Sequence, residues 1–287
     1  MAFRHINTAF SKDDLPLRLV TYNIHKGVQG IGPLKRLEIH NLKDAVEQLG
    51  ADIVCLQEVR RFNTQLAKRF KNWPHSPQAE FLAPSGYFCA YTTNAVTQHG
   101  EHGNAVLSKW PILRNQHEDM SDHRLEQRGL LHVVIDYKGD PIHVIVLHLG
   151  LLARSRKRQI DQLRDFIERE IKTGETLIVA GDFNDWNNAL APLIEDMGLT
   201  LSVASSGKGT VEGTSQLHGA GKRVGRRRTQ TVLRTPTFPA RLPLLQLDYV
   251  YSRGLHTSNC YTPVGKHWAG LSDHLPLIVE FDQAVQV

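Results

Sequence analysis

The sequence has few cysteines and no long hydrophobic run. Its 287 residues include three cysteines, which are widely spaced and lie among apolar residues. This arrangement predicts buried free thiols in a reducing compartment and argues against a thiol nucleophile or a zinc site. No stretch approaches the roughly 18 consecutive apolar residues that a membrane-spanning helix needs. We therefore expect a cytoplasmic protein.

The first residues also lack the pattern of a secretory signal. A signal peptide has a positively charged start followed by a continuous apolar core, and "MAFRHINTAFSKDDLP" has no such core. We find no internal repeat, no low-complexity tract and no linker in the chain. We therefore expect residues 1–14 to form a flexible tail and residues 15–287 to form a single domain, without a protein partner and as a monomer.

Positive charge is concentrated in one segment. The chain carries a net charge of +5, and residues 207–234 alone contain seven basic residues and one acidic residue, or +6. Six glycines and the absence of a sustained period predict a long surface loop there. Arg226, Arg227 and Arg228 are its candidate ligands for a polyanion. A solvated loop without a partner is the alternative interpretation.

Alternating strands and helices predict an α/β fold. Short apolar and β-branched runs predict nine strands: Leu17–Asn23, Ile53–Gln57, Tyr87–Tyr91, Ala105–Ser108, Leu130–Tyr137, Ile142–His148, Thr176–Ala180, Leu247–Tyr251 and Leu275–Phe281. Helical periodicity predicts three helices: Leu37–Leu49, Arg156–Lys172 and Leu190–Met197. A hairpin at residues 130–148 and a helical crossover after the first strand predict a mixed sheet, or two, covered by helices.

Polar side chains stand at the ends of several predicted strands, where α/β proteins face a ligand crevice. They are Asn23, Glu58, His148, Asp182, Asn184, Asp248, Asp273 and His274. Taken singly, most of them also fit a turn, a cap or a surface position. Asp248 differs, because it lies inside the apolar run "PLLQLDYVY". A buried carboxylate without a partner is costly, so the sequence predicts a cation beside it.

Seven short motifs occur in an order that resembles one family. "TYNIH", "LQEV", "GNAVLSKWPI", "VLHLG", "GDFND", "LDYVY" and "SDHLP" follow one another between residues 17 and 281. This order resembles the endonuclease/exonuclease/phosphatase superfamily. The resemblance implies a DNase I-like four-layer α/β sandwich, with two packed mixed β-sheets flanked by helices. The spelling "NIHKG" with "AGDFNDW" is similar to a bacterial branch usually described only by the domain name, which supplies no substrate.

The resemblance also implies a phosphoesterase that depends on Mg²⁺ or Mn²⁺. Phosphate ester hydrolysis needs charge neutralisation, an oriented water and help for the leaving oxygen. Glu58, with Asn23 and Asp273, offers the oxygen ligands that these ions prefer. By the same resemblance, Asp182 orients or deprotonates the attacking water. Asn184 donates a hydrogen bond to the developing oxyanion.

Further roles follow from the resemblance. Asp248 and His274 form a carboxylate–imidazole pair, in which the histidine acts as a base or as an electrostatic stabiliser. His148 contacts the phosphate or protonates the leaving group. Asn104, in "GNAVLS", lies near the substrate.

The substrate stays open between classes. The hallmark of inositol polyphosphate 5-phosphatases is missing, whereas "TFPARLP" resembles bacterial and sphingomyelinase-like members. We expect a phosphodiester in nucleic acid as the substrate. A phospholipid or sphingomyelin-type phosphodiester, or a small phosphate monoester, is the alternative. A non-catalytic module that binds nucleic acid or anionic membrane is a third interpretation, although Glu58, Asp182 and Asp248 would repel phosphate without a metal.

Overall fold

The computed structural model describes residues 16–123, 126–204 and 234–282. Within these residues the strands are β1 (Leu17–Asn23), β2 (Val28–Gln29), β3 (Arg36–Leu37), β4 (Ile53–Asn63), β5 (Phe88–Thr97), β6 (Gly100–Ser108), β7 (Ile112–Asp119), β8 (Gly129–Tyr137), β9 (Asp140–His148), β10 (Thr176–Asp182), β11 (Thr200–Leu201), β12 (Asp248–Arg253), β13 (His256–Tyr261) and β14 (Leu277–Asp282). The α-helices are α1 (Ile39–Leu49), α2 (Thr64–Arg69), α3 (Gln78–Leu82), α4 (Ala153–Glu170) and α5 (Ala191–Glu195). The predicted tail, and the predicted basic loop except Arg234, lie outside the described residues.

Twelve of these strands form two six-stranded mixed sheets. The first has the order β13-β14-β1-β4-β6-β5, and the second has the order β11-β12-β10-β9-β8-β7. In the first sheet β1 and β4 are parallel, and α1 provides the crossover between them. In the second sheet β9 and β10 are parallel, and α4 connects them. The predicted crossover and the predicted β8–β9 hairpin are both confirmed.

Hydrophobic clusters join four layers. The inner faces of the two sheets share one core, in which Leu19 and Ile53 of the first sheet lie in the same cluster as Val144 and Val250 of the second. The outer face of the first sheet packs on α1 and α3. The outer face of the second sheet packs on α4 and α5. The predicted α–β–β–α sandwich is therefore confirmed.

The sequence patterns miss three strands at the edges of the six-stranded sheets, and β11, with two residues, is the shortest of them. β7 exposes most of its side chains, and most side chains of β13 are exposed or half-buried. Neither segment shows the apolar alternation that a half-buried strand produces. Pairing with β8 and with β14, respectively, makes them strands. None of the described helices is both long enough and apolar enough to cross a membrane.

Two histidines are buried together against α4, away from the strand ends that carry the motifs. His132 Nε2 lies 3.0 Å from His143 Nδ1, and the His132 ring contacts the ring of Phe166. His143 Nε2 lies 3.4 Å from a carboxylate oxygen of Glu175. Burial lowers the pKa of His132 to about 4, and the neighbouring His143 adds to the effect.

This pair makes the fold sensitive to acid. The unfolded chain protonates a histidine near pH 6.5, whereas folded His132 stays neutral down to about pH 4. The free-energy cost of keeping it neutral is absent above pH 6.5 and grows as the pH falls toward 4. His132→Gln should therefore flatten the acid decline of the unfolding free energy by up to about 1.4 kcal/mol per pH unit, measured by urea denaturation. His256→Gln, whose side chain is 81% exposed, is the matched control. Equal slopes in both variants would contradict the assignment.

Candidate active site

The candidate site lies where strands of both sheets end. Asn23 is the last residue of β1, His148 of β9 and Asp182 of β10. In the register of the second sheet, Asp182 pairs with His148 on one side and with Asp248, the first residue of β12, on the other. We call this end of the two sheets the site edge. Three neighbouring strands of one sheet thus present three polar side chains at the same level.

Asp182 is the centre of a buried hydrogen-bond network. Its side chain is 1% exposed. Oδ2 accepts a hydrogen bond from Asn23 Nδ2 at 3.0 Å, and Oδ1 accepts one from the backbone N–H of Asn184 at 3.0 Å. His148 Nε2 and His274 Nε2 lie 3.5 and 3.6 Å from Oδ2. Burial raises the pKa of Asp182, against the opposing effect of the two histidines. Groups from both sheets therefore orient this carboxylate.

Asp248 and His274 lie in direct contact, as predicted. His274 Nδ1 is 2.8 Å from Asp248 Oδ2, and both side chains are buried. Burial would lower the pKa of His274, but the carboxylates of Asp248 and then Asp182 raise it to about 10. The imidazole is thus a cation at neutral pH, and it is the partner that buried Asp248 requires. The Phe238 ring packs 5.0 Å from the His274 ring.

His148 has the opposite charge state. It is also buried, and burial together with nearby Arg128 lowers its pKa to about 4. Asp182 raises this pKa, but by less. One neutral imidazole and one cationic imidazole therefore flank the same carboxylate. Two titratable groups of one type that are driven apart in pKa are suited to different steps of acid–base chemistry.

A compact group of side chains in this network could hold a metal ion. The ligand atoms of Asp182, Asp248 and His274 all lie within 4.8 Å of one another. Asp248 Oδ1 is buried and has no hydrogen-bond partner among the described residues, as expected for an atom that meets an ion or a water. Two carboxylates and an imidazole fit a divalent ion chemically. His274 would have to lose its proton to become a ligand, so the two carboxylates are the stronger donors.

The predicted metal ligands Glu58, Asn23 and Asp273 are held by the segment that follows β1. Glu58 Oε2 lies 2.7 Å from Lys26 Nζ, and Asp273 Oδ2 lies 3.0 Å from His25 Nδ1. Asn23 Oδ1 accepts a hydrogen bond from the His25 N–H at 3.0 Å. Burial would raise the pKa of Glu58, but Lys26, His148 and His25 together outweigh burial, and this pKa falls below its usual range. The donors fit Mg²⁺ or Mn²⁺ in type, and their role as ligands stays a prediction.

Two asparagines predicted to meet the substrate are partly committed to the fold. Asn184 Nδ2 donates to the Leu149 carbonyl at 2.9 Å, which leaves one amide hydrogen for another acceptor. Asn104 Nδ2 donates to the carbonyls of Gly129 and Val146, at 3.0 and 3.2 Å, and so joins the first sheet to the second. Within the described part of the chain, its buried Oδ1 has no hydrogen-bond partner. Substrate contact by Arg226, Arg227 and Arg228 concerns residues outside the described ones.

Several site residues have a left-handed backbone conformation. Two of them were not predicted as site residues from the sequence. His25, Lys26, Glu58 and Asn184 have φ values of 45°, 62°, 57° and 50°. Residues other than glycine rarely adopt this region, and they do so most often at functional sites. His25 and Lys26 received no role in the sequence analysis, although both lie in the quoted motif "NIHKG". That motif was the only sequence signal for them, because strain is a property of the folded backbone.

Comparison with known proteins agrees with this geometry. The sequence profile described as "Endonuclease/Exonuclease/phosphatase family" matches residues 20–274. The uncharacterized protein YbhP of Escherichia coli (strain K12) is 37% identical over 267 residues, which cover 92% of this chain and 95% of YbhP. An endonuclease/exonuclease/phosphatase family protein from Leptotrichia buccalis C-1013-b has a similar structure, with a TM-score of 0.65, 16% identity and coverage of 93% of this chain and 100% of that chain. D. rerio TDP2 complexed with single strand DNA product is similar at a TM-score of 0.59, 15% identity and coverage of 93% and 99%. The chain therefore belongs to the endonuclease/exonuclease/phosphatase family.

Proposed function

We propose that this protein is a phosphodiesterase that depends on Mg²⁺ or Mn²⁺. The observation that carries the proposal is the buried contact of Asp182 with His148 and His274, together with the Asp248–His274 pair. Burying two carboxylates and two imidazoles costs folding free energy. A protein that only binds anions would gain nothing from burying these four groups, and their carboxylates would repel phosphate.

Each side chain has a task that matches its surroundings. Asp182 orients or deprotonates the attacking water, because its carboxylate is fixed by groups of both sheets. Cationic His274, oriented by Asp248, stabilises negative charge on the phosphoryl oxygens. Neutral His148 contacts the leaving oxygen. The remaining amide hydrogen of Asn184 is available to the oxyanion.

A divalent ion is compatible with these roles of the side chains. When bound, it would neutralise charge on the phosphoryl oxygens, and Glu58, Asn23 and Asp273 would hold it by their oxygen atoms. Lys26 and His25, which pair with Glu58 and Asp273, keep these carboxylates ionised for that purpose.

The test of the proposal is a substrate screen with purified protein. Bis(p-nitrophenyl) phosphate, plasmid DNA, abasic DNA, RNA, sphingomyelin, glycerophospholipids and phosphate monoesters are incubated with Mg²⁺, Mn²⁺ or EDTA. We expect hydrolysis of at least one phosphodiester with a metal and none in EDTA. Failure to cleave any diester with either ion would overturn the proposal.

Nucleic acid is the substrate class that the sequence favours, and we propose it on that ground. The support is the charge of +6 at residues 207–234 and the single strand DNA product bound to the similar TDP2. If Arg226, Arg227 and Arg228 bind a polyanion, changing all three to serine should raise the KM for DNA. It should also flatten the salt dependence by roughly two to three units of log slope, with kcat unchanged.

The KM for bis(p-nitrophenyl) phosphate serves as the internal control, because so small a diester has no flanking phosphates for the three arginines to bind. An unaltered KM and salt slope with DNA would remove residues 226–228 from substrate binding. A phospholipid headgroup is the second candidate substrate. The exposed aliphatic and basic side chains around the site favour it.

A further inference from the structure

Exposed aliphatic side chains are concentrated at the site edge. Four segments carry them: residues 31–36 after β1, 151–154 after β9, 241–245 before β12 and 264–266 after β13. Their most exposed aliphatic side chains, between 60% and 91% exposed, are Ile31, Leu34, Leu151, Leu152, Leu242, Leu244 and Val264. We call these four segments the rim loops. An exposed apolar patch of this kind marks an interaction surface.

Each rim loop also places basic residues beside its aliphatic ones. The loops read "IGPLKR", "LLAR", "RLPLL" and "VGK", and none of them contains an acidic residue. Their exposed basic residues are Lys35, Arg36, Arg154, Arg241 and Lys266. Four separate segments thus share one composition, in which exposed apolar side chains lie beside positive charge.

Two of the rim loops lie directly beside the active site. Phe238 and Leu245 pair across a short hairpin, and the Phe238 ring packs on His274. The Ala240 N–H donates to the Asp273 carbonyl at 2.7 Å, which ties the hairpin to the residue before His274. A groove of about 360 Å³ separates the hairpin from the loop at 264–266, and Arg241, Val264 and Lys266 are among its lining residues. Whatever covers these loops therefore also faces the catalytic residues.

We propose that the site edge docks on a lipid bilayer that contains anionic phospholipid. The aliphatic side chains would enter the boundary between headgroups and acyl chains, and the lysines and arginines would meet headgroup phosphates. Docking in this orientation places the active site against the membrane surface. The inference goes beyond the proposed hydrolysis and does not depend on it.

The composition of the rim loops favours a bilayer over other partners. Single-stranded nucleic acid is held by aromatic side chains on which bases stack. The rim loops contain no aromatic residue, although Trp186, which is 44% exposed, lies four residues after Asp182 at the same edge. Protein interfaces are likewise enriched in aromatic residues. Leucine, isoleucine and valine beside lysine and arginine are the residues that an anionic membrane surface accepts on energetic grounds.

The test is vesicle flotation with the full chain in EDTA, so that hydrolysis plays no part. Vesicles contain phosphatidylcholine alone or phosphatidylcholine mixed with phosphatidylglycerol. We expect the wild type to float with the mixed vesicles. Leu242→Ser combined with Leu244→Ser should lower the ratio of bound to free protein by about tenfold or more. Arg241→Gln combined with Lys266→Gln should lower it about fivefold per charge on mixed vesicles, and not on phosphatidylcholine alone.

A matched control lies at the opposite end of the sheets. Leu113, in β7, is 60% exposed, and Leu113→Ser should leave flotation unchanged. Melting followed by circular dichroism shows whether each variant is folded. If the Leu242 and Leu244 double variant does not fold, Ile31→Ser combined with Leu34→Ser takes its place, with the same expected loss.

Several outcomes would overturn the docking. They are absence of flotation by the wild type, an equal loss in Leu113→Ser, and ultracentrifugation that shows a dimer dissociated by the Leu242 and Leu244 changes. An equal loss of single-stranded DNA binding in that variant would also overturn it. Hydrolysis of bis(p-nitrophenyl) phosphate with Mg²⁺ or Mn²⁺, measured in parallel, separates the two proposals. Hydrolysis without flotation overturns only the docking, and flotation without hydrolysis overturns only the enzymatic function.

Discussion

His274→Ala should lower kcat about a thousandfold while the protein stays folded. The His274 ring lies 2.8 Å from Asp248 and 3.6 Å from Asp182, and its pKa is raised to about 10. Its removal therefore takes a positive charge from the centre of the site. The measurement is kcat for bis(p-nitrophenyl) phosphate at saturating metal. A loss below about tenfold would show that His274 takes no part in the chemistry.

The partner of His274 provides a sharper version of the same experiment. Asp248→Asn should resemble His274→Ala, because the carboxylate acts by orienting and charging the imidazole. Combining the two changes should cost little more than either alone, since they remove one functional unit. Fully multiplicative losses in the double variant would mean that the two side chains act independently. Metal affinity, measured by calorimetry for each variant, separates a loss of chemistry from a loss of the ion.

Glu58→Gln should weaken the binding of Mg²⁺ or Mn²⁺ and lower turnover roughly 100-fold or more. The pKa of Glu58 lies below its usual range, with Lys26 as the strongest lowering influence, so its carboxylate is ionised at neutral pH. An ionised carboxylate is a stronger ligand for a hard divalent ion than a neutral group. The amide of glutamine keeps the shape but loses the charge. Calorimetric titration with the metal is the direct readout, and kcat at rising metal concentration is the second.

The control for this prediction is an acidic residue on the surface, outside the network of site residues. Glu118, in the edge strand β7, pairs with Arg169 at 2.9 Å on the surface, and Glu118→Gln should leave both readouts unchanged. EDTA should abolish turnover of the wild type. Undiminished hydrolysis in excess EDTA, with metal content verified as zero, would rule out the metal mechanism as a whole.

Much of the fold and the site could be predicted from local sequence. Apolar runs that end in Asn23 and His148, and one that ends two residues before Asp182, locate three strands and three site residues together, because the end of an apolar run is a local feature of the chain. A carboxylate in the apolar run around Asp248 is enough to require a cation nearby. The order of seven motifs then indicates the two-sheet sandwich, which the structure confirms.

Other features depend on which segments meet in three dimensions. β7 is a strand because β8 pairs with it, and its own side chains carry no alternating pattern. The Lys26–Glu58 pair joins the turn after β1 to an irregular position inside β4, and it relies on backbone conformations that local propensity disfavours. Asn104 looks like a substrate ligand in its motif, but the approach of the second sheet engages both of its amide hydrogens.

The sequence by itself determined the ends of β1 and β9, the charged motif residues and the need of Asp248 for a cation, because these follow from short-range patterns of polarity. The motif order had implied His274, 26 positions away, as that cation, and only the tertiary structure brings its ring to 2.8 Å from the Asp248 carboxylate. The tertiary structure also decided that four rim loops, separated by more than a hundred residues in places, face the same side as the active site. The register of two twisted sheets sets such juxtapositions, and register results from packing of the whole core rather than from any one segment.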